Sequence, residues 1–216
     1  MWNDTTMYVQ SPAKTSAVLD WLEVLSGAGL VLFILGHSLF VASVLFGAAT
    51  FDGLAGFFES TGLAQVGGPL IGSVFLLHFI LAARKIPFRT EQQRTLWAHA
   101  RLMRHEDTWL WLVQAITGML ILFMGSIHMW IILNDLPITA TKSVALAHSG
   151  LWLWFYLVFL FCVAMHVASG IYRAGVKWGY IRRDNRAKAK KALYILAGAL
   201  VFLDLVSLIR FYFLSV

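Results

Sequence analysis

Five long apolar stretches divide this chain, at residues 21–51, 66–83, 108–133, 145–172 and 193–214. An α-helix needs about 20 such residues to cross a hydrocarbon layer of about 30 Å. Lipid offers the backbone no hydrogen-bond partners, so these stretches must satisfy their own N–H and C=O groups by coiling into helices. Composition points the same way. Of 216 residues 59% are hydrophobic and 13% charged, roughly half the charge of an average soluble domain. The expected fold is all-α, an integral membrane helical bundle of five transmembrane helices with residues 1–216 as one domain. The first stretch exceeds what a span requires, which implies tilt or a cytoplasmic extension. Gly67, Gly68 and Pro69 are expected to mark the start of the second helix.

The basic residues set the topology. Arg84, Lys85, Arg89, Arg94, Arg101 and Arg104 lie between the second and third stretches. Arg173, Lys177, Arg182, Arg183, Arg186, Lys188, Lys190 and Lys191 lie between the fourth and fifth. The loop after the first stretch has no Lys or Arg, and the loop after the third has only Lys142. Cytoplasmic loops carry the excess of Lys and Arg, so the N-terminus is expected in the cytoplasm and the C-terminus outside. The net charge of +6 is thereby a topology signal and not a nucleic-acid surface. The single cysteine, Cys162, cannot form an internal disulfide, and no CxxCH occurs for covalent haem attachment. No cleavable signal peptide is expected, because residues 1–16 are polar and the first apolar run opens with Asp20 and Glu23.

Each of the first four stretches contains one histidine: His37, His78, His128 and His166. Ionisable residues inside a membrane are costly and face an interior site. Neutral imidazoles paired across helices supply both axial positions of a haem iron, so four serve two b-type haems. Depth pairs them. His78 precedes Arg84 by six residues and His166 precedes Arg173 by seven, about 10 Å from the cytoplasmic boundary at 1.5 Å per residue. His128 precedes Asn134 by six, about 10 Å from the outer boundary, and His37, near the middle of its long span, joins it by elimination. The two levels are expected to differ in height by about 10 Å. Gly29, Gly36, Gly118 and Gly125 are expected to allow close approach of a flat macrocycle or a neighbouring helix. His99, His105 and His148 fall in loops or at span edges, where a solvated role is the default.

Five spans, with one such histidine on each of the first four and none on the fifth, resemble the dihaem cytochrome b subunit of bacterial menaquinol:fumarate reductases and succinate:quinone oxidoreductases. The spacings of 50 residues from His78 to His128 and 38 from His128 to His166 suit the fumarate-reductase branch. The resemblance implies that His78 and His166 hold a proximal haem iron and that His37 and His128 hold a distal one. It implies that Glu59, 22 residues after His37 in the outer loop or the margin of the second span, accepts protons from menaquinol, a task that needs a base within hydrogen-bond reach. It places Trp111 and Lys177 near the proximal haem propionates. It implies a bacterial inner-membrane location, a flavoprotein partner with FAD and an iron–sulfur partner on the cytoplasmic face, and a dimer of such heterotrimers. The chain would be the quinol-oxidising anchor, with dicarboxylate chemistry left to the flavoprotein. One departure stands out. Two residues before the fourth histidine, where these fumarate reductases carry a Glu assigned to a proton route, this chain has Ala164, and Asp204 in the fifth span is the candidate substitute.

Two rival readings stay open at this point. One is the cytochrome b subunit of another respiratory complex, such as nitrate reductase, formate dehydrogenase or hydrogenase. The nitrate-reductase anchor draws its four ligands from two helices, against one per helix here. The other is a transporter with histidine proton relays, which predicts no Soret absorbance.

Overall fold

The computed structural model describes residues 14–215; the expectations for the polar N-terminal segment before residue 14 lie outside them. Helix α1 (Lys14–Ala42) leads through a 3₁₀ turn (Ser43–Phe46) to α2 (Ala48–Ser60), α3 (Leu63–Ala83) and α4 (Thr90–Met103). Then follow α5 (Glu106–Asn134), α6 (Ala140–His148), α7 (Trp152–Lys177) and α8 (Arg186–Phe213). The described residues contain no strand. Five helices, α1, α3, α5, α7 and α8, are long and apolar enough to cross a membrane.

The apolar text conceals where these helices break. The first stretch does not run on to residue 51: α1 and its 3₁₀ turn end at Gly47, whose φ of +113° is open only to glycine, and residues 48–51 start α2. The fourth stretch likewise splits at Gly150, φ +53°, leaving 145–148 in α6. Helix α3 starts at Leu63 behind Gly62, φ +73°, so Pro69 lies inside the helix and not at its start. Helix α8 begins at Arg186, seven residues ahead of its apolar run, because Arg, Ala and Lys are strong helix formers that need no apolar face to coil. The basic loop between the second and third spans is itself largely helical, as α4.

Helix α1 packs on α3, α3 on α5 and α5 on α7, while α8 lies against both α7 and α1. Helices α1, α3, α5 and α7 therefore surround an interior, with α1 facing α5 and α3 facing α7 across it. Helix α8 closes the side between α7 and α1 through Ala164 and Ala168 of α7 against Ala197 of α8; small residues let two backbones approach. At one end of the bundle, Val44, Phe51, Ala140, Ala147 and Phe211 form a shared core under α2 and α6. Two carboxylates of α2 pin that cap: Asp52 accepts from the Ala140 N–H (2.6 Å) and Glu59 from the Ile138 N–H (2.5 Å). The opposite, basic end is tied by ion pairs. Asp20 and Glu23 of α1 meet Arg84, Lys85 and Lys177, and Asp107 of α5 meets Arg186 and Lys190 of α8 at 3.0 Å each.

Candidate functional site

His37, His78, His128 and His166 lie on α1, α3, α5 and α7, one on each helix around the interior. The rings of His37 and His128 face each other across it, 6.0 Å between centroids and 70° between planes. Two metal–imidazole bonds of about 2 Å, plus about 1 Å from each nitrogen to its ring centre, span about 6 Å, so the pair leaves room for one metal atom between them. Phe33 stacks on His37 at 5.5 Å and Phe159 lies 5.9 Å from His128. The Tyr156 hydroxyl stands 3.3 Å from Nδ1 of His128.

The other two imidazoles are seated by a motif that occurs twice. Nδ1 of His78 lies 3.1 Å from the Glu23 carbonyl oxygen and 3.1 Å from Ser26 Oγ. Nδ1 of His166 lies 3.0 Å from the Gln114 carbonyl oxygen and 3.3 Å from Thr117 Oγ1. A carbonyl oxygen only accepts, so each Nδ1 carries the hydrogen and each Nε2 presents its lone pair to the interior. Such an arrangement orients a metal ligand and raises its basicity. Glycine makes the seat: a Cβ on Gly27 would stand 2.8 Å from His78 Cε1, and one on Gly118 2.9 Å from His166 Cε1. Ten residues beyond each glycine comes His37 or His128. The pattern of a hydroxyl residue, glycine, nine residues and histidine is thus written once in α1 and again in α5.

That repeat gives the heights. Ten helical residues rise about 15 Å, so the seats of His78 and His166 share one level and His37 with His128 occupy another. Among the described residues no three or more His, Cys, Asp or Glu side chains converge on a metal-sized site. Each imidazole pair therefore suits a group that brings its own equatorial ligands, as a porphyrin does. At the basic end, Trp178 Nε1 and Gln114 Oε1 are buried without a partner among the described residues. Trp178, whose ring lies 4.2 Å from that of Trp21, is a free N–H donor for a carboxylate such as a propionate. On these observations the residues fit two haem groups.

The remaining expected site residues fall at the two ends. Lys177 is bound to Asp20 and lies over the Trp178 ring at 5.5 Å. Trp111 is half-buried, three residues before Gln114 on α5. Glu59 belongs to α2, at the end of the bundle away from the basic loops, and is engaged by the Ile138 N–H. Ala164 is packed into the α7–α8 contact. Asp204 of α8 accepts from Ser38 Oγ at 3.0 Å, one residue from His37 on α1. Of the glycines expected to admit a macrocycle, only Gly118 meets an imidazole, and Gly29 and Gly36 have nothing within 4 Å of a built Cβ. Sequence reasoning missed Gly27, Ser26, Thr117 and Tyr156. The doubled motif was the available signal for the first three.

Comparison with known proteins gives a consistent picture. The family model described as succinate dehydrogenase/fumarate reductase transmembrane subunit matches residues 90–206. The chain is 34% identical over 208 residues to a fumarate reductase cytochrome b subunit of Wolinella succinogenes, covering 90% of this chain and 81% of that one. It is 31% identical over 199 residues to a fumarate reductase cytochrome b subunit of Helicobacter pylori, covering 88% of this chain and 78% of that one.

Proposed function

The chain belongs to the succinate dehydrogenase/fumarate reductase transmembrane subunit family, as a multi-pass, haem-binding cytochrome b anchor of the fumarate reductase type, and from that premise we propose what its residues do. His78 and His166 would hold one haem b near the basic end, and His37 and His128 would hold a second at the other level of the bundle. Bound there, the haems supply one-electron carriers between a quinol site and a soluble partner. Aromatic side chains pack around His37 and His128, and main-chain carbonyls fix His78 and His166 in the tautomer that leaves Nε2 free.

The basic end faces the cytoplasm, with the N-terminus inside and residues 1–216 acting as one domain. An iron–sulfur subunit docks there and links the chain to an FAD-bearing flavoprotein where fumarate and succinate interconvert. Two such heterotrimers pair. At the other end, Glu59 is the base that takes protons from menaquinol, so this chain is the quinol-oxidising subunit of the complex. Trp111 and Lys177 serve the propionates of the basic-end haem. Asp204 stands in for the acid that Ala164 replaces, as an intramembrane proton holder beside His37.

The observation that carries this reading is the opposed pair His37 and His128 at 6.0 Å. The placement of one imidazole on each of four helices disfavours a nitrate-reductase type of cytochrome, and a proton-relay transporter needs no such spacing. A reduced-minus-oxidised spectrum with haem counted per chain tests it. Two b haems are expected in the wild type and one in each of His37→Ala, His78→Ala, His128→Ala and His166→Ala. A wild-type preparation with no Soret band would refute it.

A further inference from the structure

One face of α8 changes character along its length in the order of a phospholipid. Ala187, Lys190, Lys191, Tyr194 and Ile195 follow at helical spacing, and together with Glu106 of α5 they line an open cleft of about 510 Å³ at the basic end. Lys190 is spent: its side chain is 13% exposed and bound to Glu106 at 2.6 Å and Asp107 at 3.0 Å. Those bonds also occupy the cleft's carboxylate. Lys191 is exposed and has no carboxylate partner among the described residues, which leaves the cleft with an uncompensated positive charge. One turn further lies Tyr194, 44% exposed, and beside it Ile195, 63% exposed. One turn beyond that, Gly198 and Ala199 are exposed, and a Cβ on Gly198 would meet nothing within 4 Å. Phe202, 70% exposed, closes the row.

We propose that this face is a binding site for an anionic phospholipid of the leaflet at the basic end. Lys191 pairs with the headgroup phosphate, as basic pockets at the cytoplasmic ends of membrane helices do. The Tyr194 hydroxyl, about 5 Å deeper along the helix, reaches the level of the glycerol esters, the usual station of interfacial tyrosines. Ile195, Gly198 and Ala199 form a shallow groove in which an acyl chain lies under the edge of Phe202. Charge complementarity and the polar-to-apolar gradient commit the site to a lipid and not to a soluble anion. The site is independent of the haem assignment, since none of its residues touches the four histidines.

The test uses the purified, delipidated complex, titrated with phosphatidylglycerol or with phosphatidylcholine of the same acyl chains. Bound lipid is counted by native mass spectrometry. Phosphatidylglycerol is expected to be retained preferentially, and Lys191→Gln to weaken its retention about fivefold, the worth of one lysine at an anionic surface. Gly198→Leu, whose Cβ meets nothing within 4 Å and whose side chain projects from the exposed face, should weaken retention of either lipid. Arg183→Gln removes the same charge from the neighbouring loop and should leave retention unchanged. The visible spectrum of each variant reports that the bundle is intact. Equal losses in Lys191→Gln and Arg183→Gln would reduce the effect to net charge and overturn the site. Undiminished retention in Gly198→Leu would overturn the acyl groove. Protection of Lys191 from amine acetylation by the soluble subunits, with no dependence on lipid, would assign the face to a protein instead.

Discussion

Replacing Gly118 with alanine separates the proposed seat from ordinary helix packing. Alanine in a helix interior is normally worth up to about 1 kcal/mol over glycine, so a bland packing role predicts an unchanged or more stable protein. Here the new Cβ would stand 2.9 Å from His166 Cε1, and ordinary contact begins at 3.4 Å, so the ring must retreat by about 0.5 Å. The ring cannot do so without stretching the 3.0 Å bond from Nδ1–H to the Gln114 carbonyl to the limit of a hydrogen bond. Losing that bond costs about 1 kcal/mol. Loss of a partner that orients a metal ligand lowers affinity by about 10- to 100-fold. Gly27→Ala, with its Cβ 2.8 Å from His78 Cε1, should act alike. Both substitutions strike the same haem, so each single variant and the double should retain one b haem per chain. Gly198→Ala, on the exposed face of α8 where a Cβ meets nothing within 4 Å, should retain two. The assay is haem per polypeptide from reduced-minus-oxidised spectra, with thermal melting followed alongside. Two haems in Gly118→Ala with unchanged bands would refute the seat, and none in the double variant would refute the pairing of His78 with His166.

Three further outcomes are expected. Glu59→Gln keeps an oxygen to accept from the Ile138 N–H and should preserve both haem spectra while abolishing menaquinol oxidation; normal turnover removes Glu59 from the chemistry. Tyr156→Phe takes away the oxygen facing His128 Nδ1, weakening that imidazole as a donor. It should raise the midpoint potential of one haem only, and a redox titration that moves both or neither contradicts it. Asp107→Asn leaves Arg186 and Lys190 short of a counter-charge and weakens the bond from the Tyr172 hydroxyl. Because these groups are partly exposed, the cost is about 1–2 kcal/mol, to be read as a lower melting midpoint of the complex.

The five spans are legible in the text because length and continuous hydrophobicity leave a membrane helix as the main solution. Their breaks are not. Gly47 and Gly150 interrupt apolar runs through positive φ, a property of backbone that hydropathy does not carry. The four histidines announce themselves by being costly where they stand, whereas Gly27 is one glycine among 17 until a ring from another helix is brought against it. Ser26 and Thr117 read as ordinary membrane hydroxyls, each already bonded to its own helix at Leu22 and Val113. What singles them out is their shared register with a glycine and a distant histidine, a correlation over some ninety residues that no local window displays. The partner of Glu59 is a backbone N–H in another segment, and a main-chain donor leaves no mark in the sequence.

The doubled motif also states how the two sites come into being. Helix α1 carries one imidazole of its own, His37, and a seat for the imidazole of α3; α5 carries His128 and a seat for that of α7. Each helix pair therefore offers one imidazole at each level and a complete two-imidazole site at neither. Only when the α1–α3 pair faces the α5–α7 pair do both sites exist, and they then exist together. A group that needs two axial nitrogens consequently binds the closed bundle and not its halves, and ligand binding of that kind stabilises the form that binds by mass action. The two levels are still not equivalent. At the basic end the ligands are steered by main-chain carbonyls, which substitution cannot remove. At the other end His128 depends on the single Tyr156 hydroxyl, and His37 is held by aromatic packing. Hydrogen bonding to ligands and the surrounding dielectric are the levers a protein has on an iron site, so the two proposed sites, built on one repeated motif, would be tuned by different means.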